Sequence, residues 1–437
     1  ASGENITGLL SKNTGTSVIT NNGTIELAGK NTIGVYLETG GQQTFTNNQL
    51  IKTENSDNLS IASAGIYNNG HVVNNAGNIT VGIGSAGIYN NMGIINETGS
   101  IASEAGGVSI YSSGGEINLI SGTINNNGIG IYAENNTSIV NTGIKVNAGT
   151  NTAAYVLKSG SNLTNSQDAE IGNGSIYVYG SEAGDIVNNA SSIVMTGSGG
   201  TGYYLTNSGN ITNNADITGL STGNLGIYSD KGSIINSGDI TLGDSEITAS
   251  NSLSENKYTV GIYGKGAEVQ NTGNIKVGYR GTGIYTENNK LTNSGNITSD
   301  GEYAAGLWGN RAVIENNGEI TMNGAYSQGI TASAQSTVVN NSIITMNGDN
   351  SIGINGSEGT TIQNNGTINL NGSNSVGVML SDGAVLLNKG IINLGPGANN
   401  VETENGSSGG SSVTPPSVVN SGVIKVDGKF ELNGINL

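Results

Sequence analysis

The chain has 437 residues, of which 72 are Gly and 67 are Asn, while 34% are hydrophobic and only 11% are charged. Gly and Asn are poor helix formers, costing up to about 1 kcal/mol per position relative to Ala, so a mainly helical protein is excluded; with 3 Pro, so is collagen. A net charge of −17 repels phosphate-bearing partners and argues against nucleic acid, and the lack of Cys removes disulfide and thiol chemistry.

From the amino terminus onward one short motif recurs, seen as ITNNGTIEL, VQNTGNIKV, LTNSGNITS, IENNGEITM and IQNNGTINL. Its Ile positions run Ile25, Ile51, Ile79, Ile101, Ile124, Ile171, Ile193, Ile217, Ile240, Ile275, Ile297, Ile320, Ile344, Ile368, Ile392 and Ile424, with a further unit near Ile144. The intervals are mostly 21 to 28 residues. Each unit holds three short apolar segments, such as Val72-Val73, Ile79 with Val81, and Ala86-Gly87-Ile88, separated by Gly, Asn and Asp. These separators tolerate the left-handed backbone of turns, and the apolar residues alternate with period two. In Ile129-Gly130-Ile131-Tyr132-Ala133 that alternation places Ile129, Ile131 and Ala133 inward and Tyr132 outward.

Three strands and their turns fill such a unit, and alone it cannot bury its apolar face. Stacking like strands in parallel, ~4.8 Å apart, makes one continuous core. The expected fold is all-β: a right-handed parallel β-helix of about 17 coils with three short strands per coil, a rod about 80 Å long. The β-helix is expected over 1–397, with a polar projecting loop at 243–257, a Gly/Ser-rich linker with a Pro pair at 398–417, and a terminal coil at 418–437.

Two residue types recur at fixed places. Asn stands two positions before the repeat Gly at Asn21, Asn47, Asn75, Asn141, Asn189, Asn213, Asn236 and Asn420, and over Asn271, Asn293, Asn316, Asn340, Asn364 and Asn388. Stacking would bring these amides into a structural hydrogen-bonded ladder. Tyr36, Tyr67, Tyr89, Tyr111, Tyr132, Tyr177, Tyr204, Tyr228, Tyr263, Tyr285 and Trp308 follow the Gly-Ile segment, with Tyr155 one residue off register. Later coils put Thr331, Asn355 and Met379 there. The expectation is an outward aromatic stripe that either stabilises neighbouring strands or binds a ligand, with Tyr132, Tyr177, Tyr204, Tyr228, Tyr263, Tyr285 and Trp308 as the candidate surface.

Catalytic signals are sparse. His71 is the only histidine, expected as a solvated turn residue, and Arg280 and Arg311 are the only arginines. Zinc chemistry has no ligand set, Asp is too irregular for calcium repeats, and no cofactor is implied. A polysaccharide-active β-helical enzyme would need several carboxylates converging in one lateral groove. A purely structural stalk would present smooth coils.

The Asn-x-Gly-x-Ile-Thr and Gly-Ile-Tyr units resemble the passenger repeats of bacterial type V autotransporters, most nearly the large fusobacterial adhesins. The likeness runs over nearly the whole chain, and the tail VVNSGVIKVDGKFELNGINL resembles membrane-proximal coils. The resemblance implies a non-enzymatic, monomeric β-helical segment displayed outside the outer membrane, attaching to a host-cell or bacterial receptor of protein or glycan. The family's carboxy-terminal β-barrel translocator is expected to lie outside this segment.

Overall fold

The computed structural model describes residues 3–56, 63–247, 257–404 and 415–426, and among these residues there is no helix. The chain divides into two compact units, 1–215 and 216–437. Each is a parallel β-helix whose coil runs through three strands. The first carries the Gly-Ile-Tyr segment, the second ends on the repeat Asn, and the third carries the repeat Ile. The first strand occurs nine times in residues 1–215, from Thr7–Ser11 to Thr201–Thr206, and eight times in 216–437, from Leu225–Ser229 to Asn399–Glu404.

Like residues stack on like. In the first unit Ile66, Ile88, Ile110 and Ile131 lie in successive register, as do Val73, Ile95, Ile117 and Ile139. In the second, Ile240, Ile275, Ile297, Ile320, Ile344, Ile368 and Ile392 form one column in the third sheet. All are withdrawn from water. A unit that repeats at these intervals therefore builds its core out of copies of one residue, each methyl packing on its counterpart one coil away.

The second and third strands alternate as period two requires. The first does not: Gly and the following Ile are both buried, as in Gly306-Leu307, before the aromatic residue turns outward. A Cβ on Gly306 would lie 2.5 Å from the Gly329 carbonyl oxygen and 2.8 Å from Ile320 Cγ2. The third strand's Ile thus closes directly on the first strand's backbone, which leaves no room for a side chain there. For the same reason Ile129, expected in the core, is half-exposed, and Gly130 takes the inward place.

The amides form the expected ladder. From Asn236 through Asn271, Asn293, Asn316, Asn340, Asn364 and Asn388 to Asn420, each Nδ2 donates to the next Oδ1 at 2.7–3.0 Å. The same Nδ2 also donates to a carbonyl two residues on, for example Asn316 to Gly318 at 2.9 Å. Asn can do this indefinitely because it carries both a donor and an acceptor.

The first unit varies the pattern. Asn21, Asn47 and Asn75 follow the rule, but the next member is Glu97, fully buried, whose oxygens accept from Asn75 Nδ2 at 2.8 and 2.9 Å and from the Gly99 amide at 2.9 Å. Leu119 follows, and the ladder resumes at Asn141, Asn165 and Asn188. Asn188, not Asn189, is the member there, because Asn165 pairs with Asn188 and Asn188 with Asn213. Asn188 reaches Asn213 through the Tyr203 hydroxyl, at 2.8 and 3.0 Å.

Other expectations change. Ala169, not Ile171, pairs with Ile193, and 144–148 form no strand beyond one bridge from Ala148 to Ile171. His71 is buried, its Nε2 donating to the Glu38 carbonyl at 2.7 Å, because the turn folds it against the preceding coil. The linker expected at 398–417 is shorter: Asn399–Glu404 is a first strand paired with Val376–Ser381, and Ser417–Asn420 is a second strand paired with Val385–Asn388. Val401 in register with Val378 carries the apolar column onward despite the Gly/Ser-rich run that follows it. Residues 405–414 of that linker, 427–437 of the terminal coil and 248–256 of the loop lie outside the described residues.

Two outcomes follow. Ile297→Asn removes a fully buried side chain and strands an amide in the core, and should cost about 3–5 kcal/mol in urea unfolding. Thr298→Asn, one residue on and half-exposed, should stay within ~0.5 kcal/mol, and equal losses would contradict the register.

Burial pushes the Glu97 carboxyl up to about 8, against the hydrogen bonds from Asn75 and Gly99 that pull it down. Between the ordinary carboxylate value of about 4.3 and that raised value, the folded chain holds a proton that the unfolded chain has lost, so stability falls as pH rises. The penalty is roughly 1.4 kcal/mol per unit of displacement. Unfolding midpoints of the parent chain and Glu97→Gln should diverge from pH 5 to pH 9, with the Gln form becoming the more stable.

Candidate functional site

The aromatic positions form an outward column, but not with the expected membership. Tyr132 is followed in register by Val156 and then Tyr179, which pairs with Tyr204. Tyr177, expected in the stripe, is buried instead, together with Tyr155 and Tyr203. These three pack edge-to-face at centroid distances of 5.6 Å. Tyr177 falls between Ile176 and Val178, the place that Gly holds in most coils, so it faces the core.

The column behaves differently in the two units. Across Tyr36, Tyr67, Tyr89, Tyr111 and Tyr132, neighbouring rings stack at 4.5–5.0 Å with interplanar angles of 10–15°. Each ring covers the next, and burial pushes the Tyr67 hydroxyl up to about 12. Tyr179 and Tyr204 lie parallel at 6.1 Å. In the second unit Tyr228 and Tyr263 meet at 79°, Tyr263 and Tyr285 at 46°, and Tyr285 and Trp308 at 74°. These rings no longer cover one another. Glu287 accepts from the Tyr285 hydroxyl at 2.7 Å and from that of Tyr263 at 3.2 Å. Burial and this carboxylate hold both phenols protonated, well above the usual range.

A groove of about 710 Å³ runs beside that column. Its floor is Leu225, Val260, Thr282 and Ala305, which stand in register at the start of successive first strands. One wall is Tyr263, Tyr285 and Trp308, three residues further along each strand. The opposite wall is Tyr258, Arg280 and Tyr303, two residues before each floor position. Trp308 is 43% exposed, Tyr258 49% and Tyr303 46%, so both walls reach water.

The second wall was missed in the sequence because it lies in turns. Two of its members, Arg280 and Tyr303, stand at a position that recurs in the repeat with left-handed backbone, at φ 67° for Gly84, Gly106 and Gly223 and 54–55° for Asn350 and Asn374; Tyr258 does not share that geometry. Left-handed geometry costs a side-chain-bearing residue roughly 1–2 kcal/mol, and Gly and Asn meet that demand best. In three consecutive coils the place is taken instead by Arg280 (φ 51°), Tyr303 (57°) and Tyr326 (59°). The signal available in the sequence was the replacement of the turn Gly or Asn by Arg or Tyr.

Around Arg280 the rings of Tyr279 and Tyr303 stand 5.4 and 5.1 Å from the guanidinium carbon. The base of the 243–257 excursion fixes this turn. Asp244 Oδ1 accepts from the Tyr279 amide at 2.7 Å, and Ser245 Oγ donates to the Arg280 carbonyl at 2.9 Å. An antiparallel bridge and a 3.1 Å ion pair between Glu246 and Lys257 close the base itself.

A second cleft, about 500 Å³ and polar, lies in the first unit where the third sheet is interrupted at 144–148. Thr80, Asn125, Asn147, Glu104 and Glu170 are among its lining, giving it two carboxylates. Among the described residues no three His, Cys, Asp or Glu side chains gather so as to hold a metal. The Asn ladder is buried and holds coils together; its members Asn271, Asn293, Asn316, Asn340, Asn364 and Asn388 are out of a ligand's reach.

Residues 108–310, just under half of the chain, match the family model of the BigA third pectate lyase-like domain. That likeness agrees with the β-helical fold and with a bacterial surface protein. No curated protein and no solved structure matches the chain.

Proposed function

We propose that this chain is an adhesive segment of a bacterial surface protein, and that its groove over residues 225–308 binds saccharides of a host or bacterial cell surface. The observation that carries the reading is the pair of aromatic walls on either side of a mostly apolar floor, one of them with Arg280 and Tyr303 at turn positions that Gly or Asn fills elsewhere. Aromatic anchors in a concave site are the usual source of binding energy, and the groove's volume falls in the ligand-pocket range of roughly 300–1,000 Å³. The similarity to a BigA domain supports a surface location, and the resemblance to autotransporter passengers supports display outside the outer membrane. The chain acts by multipoint attachment, with no catalytic step and no cofactor.

A second reading, a saccharide-cleaving β-helix, is favoured by the pectate lyase-like match and by the polar cleft with Glu104 and Glu170. Prolonged incubation with polygalacturonate should leave its chain length unchanged; steady release of new reducing ends would establish the second reading.

Attachment of labelled chain to epithelial and bacterial cells tests the first. The double variant Tyr285→Ala/Trp308→Ala should weaken it at least tenfold. Tyr67→Ala and Tyr89→Ala, taken from the self-stacked column, should leave attachment intact while costing about 1–3 kcal/mol of stability through lost ring pairs. Full attachment by a folded Tyr285→Ala/Trp308→Ala variant would remove the groove from the account.

A further inference from the structure

We infer that the groove selects an acidic saccharide, a pyranose whose ring lies on the Tyr285–Trp308 wall while its carboxylate meets Arg280 on the opposite wall. This rests on the binding reading above and names its ligand class.

Among the described residues no carboxylate forms an ion pair with Arg280, and its Nε is buried with no hydrogen-bond partner. Glu302, whose carbonyl accepts from the Arg280 amide at 2.9 Å, forms no ion pair with it, and three other nearby acids are engaged elsewhere. Glu287 accepts from Tyr263 and Tyr285, Asp244 accepts from the Tyr279 amide, and Glu246 pairs with Lys257. The flanking rings of Tyr279 and Tyr303 stabilise a cation through their negative faces but satisfy none of its N–H groups. A guanidinium presents five N–H donors in a planar fork that matches a carboxylate in two places, so the group best complementary to this wall is a carboxylate. Among the described residues Arg280 is also the one cation lining the groove, so a polyanion such as nucleic acid, which needs many, is a poor fit in a chain of net charge −17.

The other wall asks for a flat, weakly polar face. The Tyr263 and Tyr285 rings are tilted at 46° and those of Tyr285 and Trp308 meet at 74°, so none lies flat on its neighbour. The electron-rich faces of such rings attract the weakly positive C–H groups of a sugar. One bound residue can therefore use both walls, with C–H groups on the aromatic side and the acid on Arg280.

The variant that isolates this is Arg280→Asn, because Asn holds the same left-handed turn position in the coils at Asn350 and Asn374 and should fold unchanged. Calorimetry on the whole chain would use sialyllactose and trigalacturonate as acidic probes, lactose as the neutral one and a Glu-rich peptide as the acidic non-sugar. At least one acidic sugar should bind tenfold or more tighter than lactose. Arg280→Asn should lose that tenfold and leave lactose within twofold, while Trp308→Ala should weaken both sugars. Equal binding of lactose and the acidic sugars, or equal losses on both in Arg280→Asn, would overturn the acid selectivity and leave the saccharide reading standing. Tighter binding of the peptide would overturn the sugar assignment, and no binding of any sugar would overturn both readings together.

Discussion

The constraint on which the rest depends is parallel, in-register stacking. Every residue in a coil lies over its counterpart in the next, so a buried side chain must be compatible with a copy of itself. Ile satisfies this by dispersion and Asn by hydrogen bonding, since its amide donates to the coil on one side and accepts from the other. The ladder in 216–437 runs in one direction without interruption, so its dipoles reinforce one another. A residue that lacks one half of this function ends the chain of bonds. Glu97 can accept from Asn75 and has nothing to donate when ionised, and Leu119 stands beyond it. Burial at that place pushes the Glu97 carboxyl upward, against the hydrogen bonds from Asn75 and Gly99.

Outward positions escape that constraint and can diverge between coils. The Tyr column shows how far. From Tyr36 to Tyr132 the rings lie flat on one another, a use of aromatic residues that is complete within the protein. From Tyr228 to Trp308 the same register position holds rings at steep angles beside a groove. Stabilisation and binding, which the repeat alone leaves as alternatives for the whole stripe, fit different stretches of it.

Much of the fold was legible because the repeat is periodic: the three strands, the Ile columns and the unit-2 ladder all follow from spacing. Most of the exceptions share one cause, which is that a short motif cannot show when a coil slips. Ala169 replaces Ile171 in register because its coil begins the third strand two residues earlier. Asn188 rather than Asn189 joins the ladder where no repeat Gly marks the corner. Tyr177 reads as a stripe member by spacing, yet the sequence Tyr177-Val178-Tyr179 offers two outward candidates and only Tyr179 pairs with Tyr204. His71 is buried by the neighbouring coil, a tertiary fact that a turn motif does not carry. Of the candidate site, the Tyr263, Tyr285 and Trp308 wall was visible as a periodic signal. The Arg280 and Tyr303 wall was not, because it appears only as a departure from Gly and Asn in turns.

That departure is also what the proposed binding site rests on. A solenoid whose surface repeated as its core does would present the same face at every coil, so specificity requires breaking the repeat where the core is not disturbed. Turns and outward strand positions are those places, and the 243–257 excursion supplies the third ingredient by clamping the Tyr279–Arg280 turn through Asp244 and Ser245. Electrostatics sharpens the result. The chain is acidic overall, but at physiological salt the field of distant charges is screened within about 8 Å. At the groove, Arg280 is half-buried beside the rings of Tyr279 and Tyr303, and its charge acts at short range there. On the proposed reading an acidic ligand would be repelled by most of the surface and held at one point, so its selectivity would come from the groove's local chemistry and owe little to net charge.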